Sequence, residues 1–143
     1  MEITNEIKAV SQYYGTDFLV CYNIEKTPVV EKLNFKHLEF YEPDPVNKRD
    51  LLILKPISAI TDEDAIEVGK FWYENFNLSE DAKLLIQRVK QDLSDPKIML
   101  PFEAGQFLQS RGYDLPNYLL DGKTLQEAGL AIYDNHPFKA TII

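Results

Sequence analysis

Between Asp17 and Leu54 the apolar residues of this chain come in short β-branched and aromatic runs, whereas from Thr61 onward they recur every three or four residues. That change of period constrains the fold more than any other feature, because a stretch patterned for strands does not bury one face as a helix, nor the reverse. Strand signals gathered in one part of a chain and helix signals in another predict an α+β domain. The expected sheet is small and antiparallel, spans about residues 17–55, and is packed by an N-terminal helix and a C-terminal helical region.

The local punctuation agrees. Ile3, Ile7, Val10 and Tyr14 keep helical spacing up to Gly15, so an amphipathic helix is expected over 4–14. Residues 18–24, 29–30, 33–35 and 38–41 read as strands, 42–49 with Pro43 and Pro45 as a surface loop, and 51–54 as a strand ended by Pro56. Thr61 is an N-cap followed by Asp62, Glu63 and Asp64, carboxylates placed where the helix dipole is positive. Ala65, Val68, Trp72 and Phe76 then line one face of a helix over 62–76. Ser79-Glu80-Asp81 repeats that start, and Ala82, Leu85, Ile86, Val89 and Leu93 form a second stripe closed by Asp95-Pro96, which predicts an antiparallel helix pair. Pro101 opens a further helix with Ala104, Phe107 and Leu108 facing inward and Arg111-Gly112 at its end. Thr124-Leu125-Gln126-Glu127 is a capping box for a last short helix before Gly129.

With 143 residues, 45% of them hydrophobic and 17 aromatic, the chain suffices for one packed core, and a single domain over 1–143 is expected. A chain of this size buries roughly two thirds of its unfolded surface, so neither disulfides nor a metal are needed to hold it. The lone Cys21, inside Phe18-Leu19-Val20-Cys21-Tyr22, reads as a core residue and not as a nucleophile. The first residues show no basic segment followed by an apolar one, and no run of about 18 apolar residues occurs, so a cytoplasmic protein with no membrane partner is expected. In that setting the sequon Asn77-Leu78-Ser79 has no meaning. A net charge of −8 opposes phosphate backbones and disfavours nucleic acid, although the acidic stretch 61–100, with 9 acids against 5 bases, leaves DNA mimicry as a weaker option.

No motif carries recognisable chemistry. Gly122-Lys123-Thr124 has the ending of a phosphate-binding loop, but Asn117 stands where its first glycine should be and Pro116 precedes it in place of a strand, so a turn entering a capped helix explains it better. The triplet Asp62-Glu63-Asp64 reads as a helix start rather than a cation site, because the glycine and spacing of a calcium loop are missing. Two histidines, His37 and His136, exclude His/Cys zinc clusters; His37 is expected at a sheet edge and His136 in an exposed turn. No serine sits in a nucleophile elbow, and 23 carboxylates make any proposed acid/base pair uninformative. The stretch from Phe107 to Gly129 is a poor helix-turn-helix, since about eleven residues separate its two expected helices. A helical cap that packs Leu115, Tyr118, Leu119 and Leu125 onto the core is the preferred reading. If a pocket for a planar or anionic ligand exists, Arg111, Tyr113, Tyr118 and Lys123 are its candidate residues, with Tyr133 nearby in sequence, because tyrosines and cations recognise such groups.

Two stretches carry a resemblance: Leu52-Ile53-Leu54-Lys55-Pro56-Ile57-Ser58 running into Ile60-Thr61-Asp62-Glu63-Asp64-Ala65-Ile66-Glu67-Val68, and Phe107-Leu108-Gln109-Ser110-Arg111-Gly112-Tyr113-Asp114-Leu115-Pro116 with Glu127-Ala128-Gly129-Leu130-Ala131-Ile132. About a third of the chain thereby resembles a family of small uncharacterised proteins carried by phages, prophages and other mobile elements of Bacteroidota. Arg111 stands where many of those relatives have lysine, and the span 71–100 has no counterpart. The resemblance implies a mobile-element context and a host cytoplasm; it implies no activity, cofactor or catalytic residue. The expected function is therefore that of a noncatalytic binding protein, a counter-defence or accessory factor engaging a host protein. The alternative is a small-molecule binder that sequesters a nucleotide-type signal.

Overall fold

The computed structural model describes residues 2–21, 28–72, 82–95, 97–133 and 141–142. The expectations placed on residues 22–24, Phe76, Asn77, Ser79-Glu80-Asp81, Pro96 and His136, and on the side chain of Cys21, lie outside the described residues.

Helix α1 (Asn5–Ser11) starts on Thr4, whose hydroxyl accepts the Ile7 N–H, and buries Ile7, Ala9 and Val10. Gly15 adopts a left-handed backbone (φ 84°) and turns the chain back, its N–H donating to the Leu33 carbonyl. Strand β1 (Asp17–Cys21) then pairs antiparallel with β2 (Pro28–Lys32), Leu19 opposite Val30. Beyond β2 the chain departs from the expected pattern: residues 35–39 form a short helix, α2 (Phe35–Glu39), where the letters of 33–35 and 38–41 predict strands. The reason is local hydrogen bonding. Asn34 accepts the Lys36 N–H while its own N–H donates to His37 Nδ1, a capping box that outcompetes an extended backbone. His37 is consequently buried, not at a sheet edge, and directs Nε2 to Glu31 Oε1 at 2.8 Å.

The 42–49 segment is the expected surface turn, closed by reciprocal backbone bonds between Asp44 and Arg49. Strand β3 (Leu51–Pro56) is the centre of the sheet. It runs antiparallel to β1, and parallel to both β4 (Tyr113–Asp114) and β5 (Ala131–Tyr133). The Leu52 N–H reaches the Leu130 carbonyl and the Lys55 N–H the Gly112 carbonyl. Amides three residues apart point to opposite edges of a strand, so β5 lies along one edge of β3, and β1 and β4 succeed each other along the other. A short β6 (Thr141–Ile142) adds in parallel to β2. The α+β class holds, and the antiparallel part of the sheet lies within residues 17–55; the parallel partners come from the C-terminal third, outside the expected span.

Side-chain alternation divides the sheet's two faces. Phe18, Val20, Leu52 and Leu54 face α1, Leu38 and Leu125, while Leu19, Leu51 and Ile132 form a small cluster on the other face. A second core belongs to three helices: α3 (Asp62–Trp72), α4 (Ala82–Leu93) and α5 (Phe102–Ser110). Thr61 Oγ1 accepts the Asp64 N–H as predicted, and the α3/α4 pair is antiparallel, with Asp62 meeting Lys90 at one end and Gly69 meeting Leu85 at the other. Pro101 caps α5, which stops at Arg111 before Gly112 (φ 82°).

The two cores are joined at β4. The Tyr113 ring is buried in the helical core, and its carbonyl accepts the Tyr13 hydroxyl from the end of α1 at 2.8 Å. The expected last helix is a single turn over 124–129. Its capping box is present, with Glu127 N–H on Thr124 Oγ1 and Thr124 N–H on Glu127 Oε1, yet Gly129 (φ 78°) ends it at once. Asp114, from β4, accepts the Leu125 and Gln126 N–H groups, first-turn donors that no carbonyl of the turn itself can reach.

Candidate functional site

The four residues singled out from the sequence divide between separate places. Arg111 leaves the end of α5, lies over the Phe107 ring at 5.2 Å and approaches Asp64 Oδ1 with Nε at 3.7 Å. Tyr113 shares that carboxylate: its hydroxyl donates to Asp64 Oδ2 at 2.7 Å and accepts the Thr61 N–H. Burial raises the Tyr113 hydroxyl's pKa, with the Asp64 hydrogen bond adding to it. Tyr113 is 0% exposed, so its ring belongs to the core and offers no face to a ligand. Lys123 closes a loop on Asn117, with the Asn117 N–H on the Lys123 carbonyl and the Gly122 N–H on the Asn117 carbonyl, which is how the fold uses Gly122-Lys123-Thr124. Tyr118 stands apart on a short 3-10 turn (Tyr118–Leu120), 64% exposed, its hydroxyl against Met99 Sδ and the Ile98 carbonyl. Leu115 and Leu125 pack inward as expected of a cap, whereas Tyr118 and Leu119 do not.

Tyr118 borders a half-open groove of about 570 Å³ between α5, the segment 98–101 and the segment 115–119. One side is apolar, from Ile57, Leu93, Ile98, Leu100 and Leu115, and the rim carries Met99 at 73% and Phe102 at 74% exposure. The lining also holds four carboxamides: Gln12 from the end of α1, Gln106 and Gln109 from α5, and Asn117. Arg111, Tyr113 and Lys123 are not in its wall, and the one charged side chain among the described residues that is, Asp95, is acidic. These residues are invisible to sequence reasoning because Gln12 and Gln109 are 97 positions apart and glutamine is unremarkable on a helix. The one available signal is the run Ile98-Met99-Leu100, apolar yet outside any helical or alternating pattern.

Gly105 is among the groove's lining residues. It lies inside α5, not at its end, and has ordinary helical backbone, so no turn requires it. A Cβ placed there would meet nothing within 4 Å, so no close packing requires it either. Glycine inside a helix costs about 1 kcal/mol relative to alanine. Gly69 on α3 presents the opposite case, since a Cβ there would come within 2.8 Å of Leu85.

Another hollow, about 480 Å³, lies between α1 and the end of α2 and is bordered by Glu2, Glu6, Glu39, Phe40 and Tyr41. The Tyr41 hydroxyl is buried without a hydrogen-bond partner among the described residues, and burial raises its pKa. Buried Asp50 and Asp114 are raised for the same reason, against the N–H groups of Glu42, and of Gln126 and Leu125, that donate to them. Among the described residues no three His, Cys, Asp or Glu side chains gather as metal ligands would, and no helix is long and apolar enough to cross a membrane. Comparison of the chain with protein-family models, with curated proteins and with solved structures returns no match.

Proposed function

We propose that this is a noncatalytic binding protein whose groove beside Gly105 receives part of a partner protein, a host protein if the chain belongs to a mobile element. The observation that carries the reading is Gly105 itself: a helix-interior glycine in the groove's lining that neither backbone geometry nor packing calls for. The rim supports a protein partner over a small ligand. Met99 and Phe102 line the groove and are 73% and 74% exposed, and with the exposed Tyr118 they form an apolar rim of the kind a protein surface covers. Buried Asp114 and half-buried Asp64 have structural duties, Asp114 holding a turn and Asp64 holding Tyr113 and Arg111. A nucleotide-sequestering role gains nothing from the groove, whose described wall offers no cation to a phosphate.

A photo-crosslinking phenylalanine analogue in place of Phe102, exposed to host lysate, tests the reading. Val46, 84% exposed on the 42–49 turn, is the control position for nonspecific apolar contact. The expected result is an adduct of discrete mass from position 102 only, abolished by Gly105→Leu in the same chain. Since leucine there enters open space, that variant stays folded, which its melting temperature verifies. Adducts that are the same from both positions, or that survive Gly105→Leu, remove the proposal.

A further inference from the structure

We infer that the groove takes its partner as an extended peptide segment, gripped by Gln12 and Gln109 through the backbone N–H and C=O of one residue; this rests on the binding-groove reading above and names what enters. The orientation of the amides comes from one bond. Asn117 Oδ1 accepts the Leu119 backbone N–H at 2.9 Å, and a backbone N–H can only donate, so Asn117 must turn Nδ2 toward Gln12. Gln12 must therefore present Oε1, which accepts Asn117 Nδ2 at 3.4 Å and, at 2.8 Å, Gln109 Nε2. Both lone pairs of that oxygen are used. What is left unbonded within the described residues is the Gln12 amide N–H pair and the Gln109 Oε1, a donor and an acceptor on two bonded side chains that line the groove. In an extended chain the N–H and C=O of one residue point to the same side and form the complementary pair, and main-chain bonds of this kind supply affinity while neighbouring pockets select side chains.

Charge selects further. The chain is acidic as a whole, yet the groove wall holds a single charged side chain among the described residues, the Asp95 carboxylate, one oxygen of which is held by the Lys97 N–H. The segment that fits is uncharged where it lies against Leu93, Ile98 and Leu115, carries an apolar side chain there, and places a lysine or arginine toward Asp95.

A display library of random linear heptapeptides, selected on the full chain with subtraction on Gly105→Leu, provides the probe. Enriched peptides are expected to share an apolar residue with a nearby base. N-methylation of one peptide nitrogen, which deletes the donor to Gln109, should weaken binding about fivefold, the order of one hydrogen bond's net contribution. That loss should vanish on the Gln109→Ala background, and Asp95→Asn should weaken basic peptides alone. Peptides that bind but tolerate N-methylation at every position, or whose loss is the same in Gln109→Ala, overturn the main-chain grip while leaving the groove as a binding site. Enrichment of acidic peptides, or of none over the Gly105→Leu subtraction, also overturns the inference. The crosslink from position 102 then decides separately whether a folded surface, and not a segment, occupies the groove.

Discussion

At Asp114 a carboxylate that is 1% exposed accepts the Leu125 N–H at 2.8 Å and the Gln126 N–H at 3.0 Å. Asp114→Ala strands both donors, one of them buried, and should lower the unfolding free energy by about 3 kcal/mol, measured by urea titration. Its titration has a definite sign. Burial raises the folded-state pKa, so the folded chain holds this proton at a pH where the unfolded chain has released it. The resulting stabilisation is fully present below the ordinary aspartate value, about 4, and is lost as pH rises through the folded value. Asp44 and Glu127 act in the opposite sense, since backbone N–H groups of Asn47 and Thr124 lower their pKa values and their contribution is lost as pH falls. The difference in stability between wild type and Asp114→Asn cancels those two, and should fall as pH is raised above about 4. A flat difference would place the Asp114 proton elsewhere. Tyr13→Phe makes a second test at this scale. It removes the hydroxyl that donates to the Tyr113 carbonyl and accepts the Leu115 N–H, and should cost about 1–3 kcal/mol while leaving α1 itself intact by circular dichroism.

Among the elements, α3 and α5 each contain a glycine, and the two substitutions should diverge. Gly105→Ala gains helix propensity with nothing to displace, so it should stabilise by about 1 kcal/mol in thermal or chemical denaturation. Gly69→Ala gains the same propensity but pushes a methyl into Leu85, which is buried between α3 and α4, so overpacking offsets the gain. In a Leu85→Ala background the obstruction is gone, and Gly69→Ala should then stabilise by about 1 kcal/mol. A double-mutant cycle with no coupling between positions 69 and 85 would refute the close approach of the two helices. The short α2 depends on its capping box, and Asn34→Ala should destabilise by about 1 kcal/mol and unseat His37 from Glu31, visible as a shift of the His37 ring protons in NMR.

For the whole molecule, β3 ties the chain together because every one of its described sheet partners lies distant in sequence: β1 before it, β4 and β5 after it. The sheet core includes Leu125 and Leu130, and the helical core includes Tyr113, which is also bonded to Tyr13. A fragment ending at residue 111 loses β4, β5 and both connections. It should show helix signal without a cooperative unfolding transition, whereas two independent melts would indicate separable units.

Much of this architecture is written in local letters. The caps Thr4 and Thr61, the stop at Arg111-Gly112, the turn around Pro43 and Pro45, and the strand at Leu51 depend on neighbours within a few residues, where sequence and hydrogen bonding are read together. Where apolar patterning misleads, a competing local bond wins, as in the Asn34–His37 box that makes a helix of aromatic letters whose rings, Phe35 and Phe40, point to solvent. The parallel pairing of β3 with β4 and β5, and the convergence of Gln12, Gln109 and Asn117, have no local trace. Sheet pairing and a three-amide wall are settled by which buried surfaces close against one another, so residues about a hundred positions apart acquire their roles only when the cores do. Chain letters determined where elements begin and end; packing alone decided which face was left open, and at Gly105 what size of side chain could enter it.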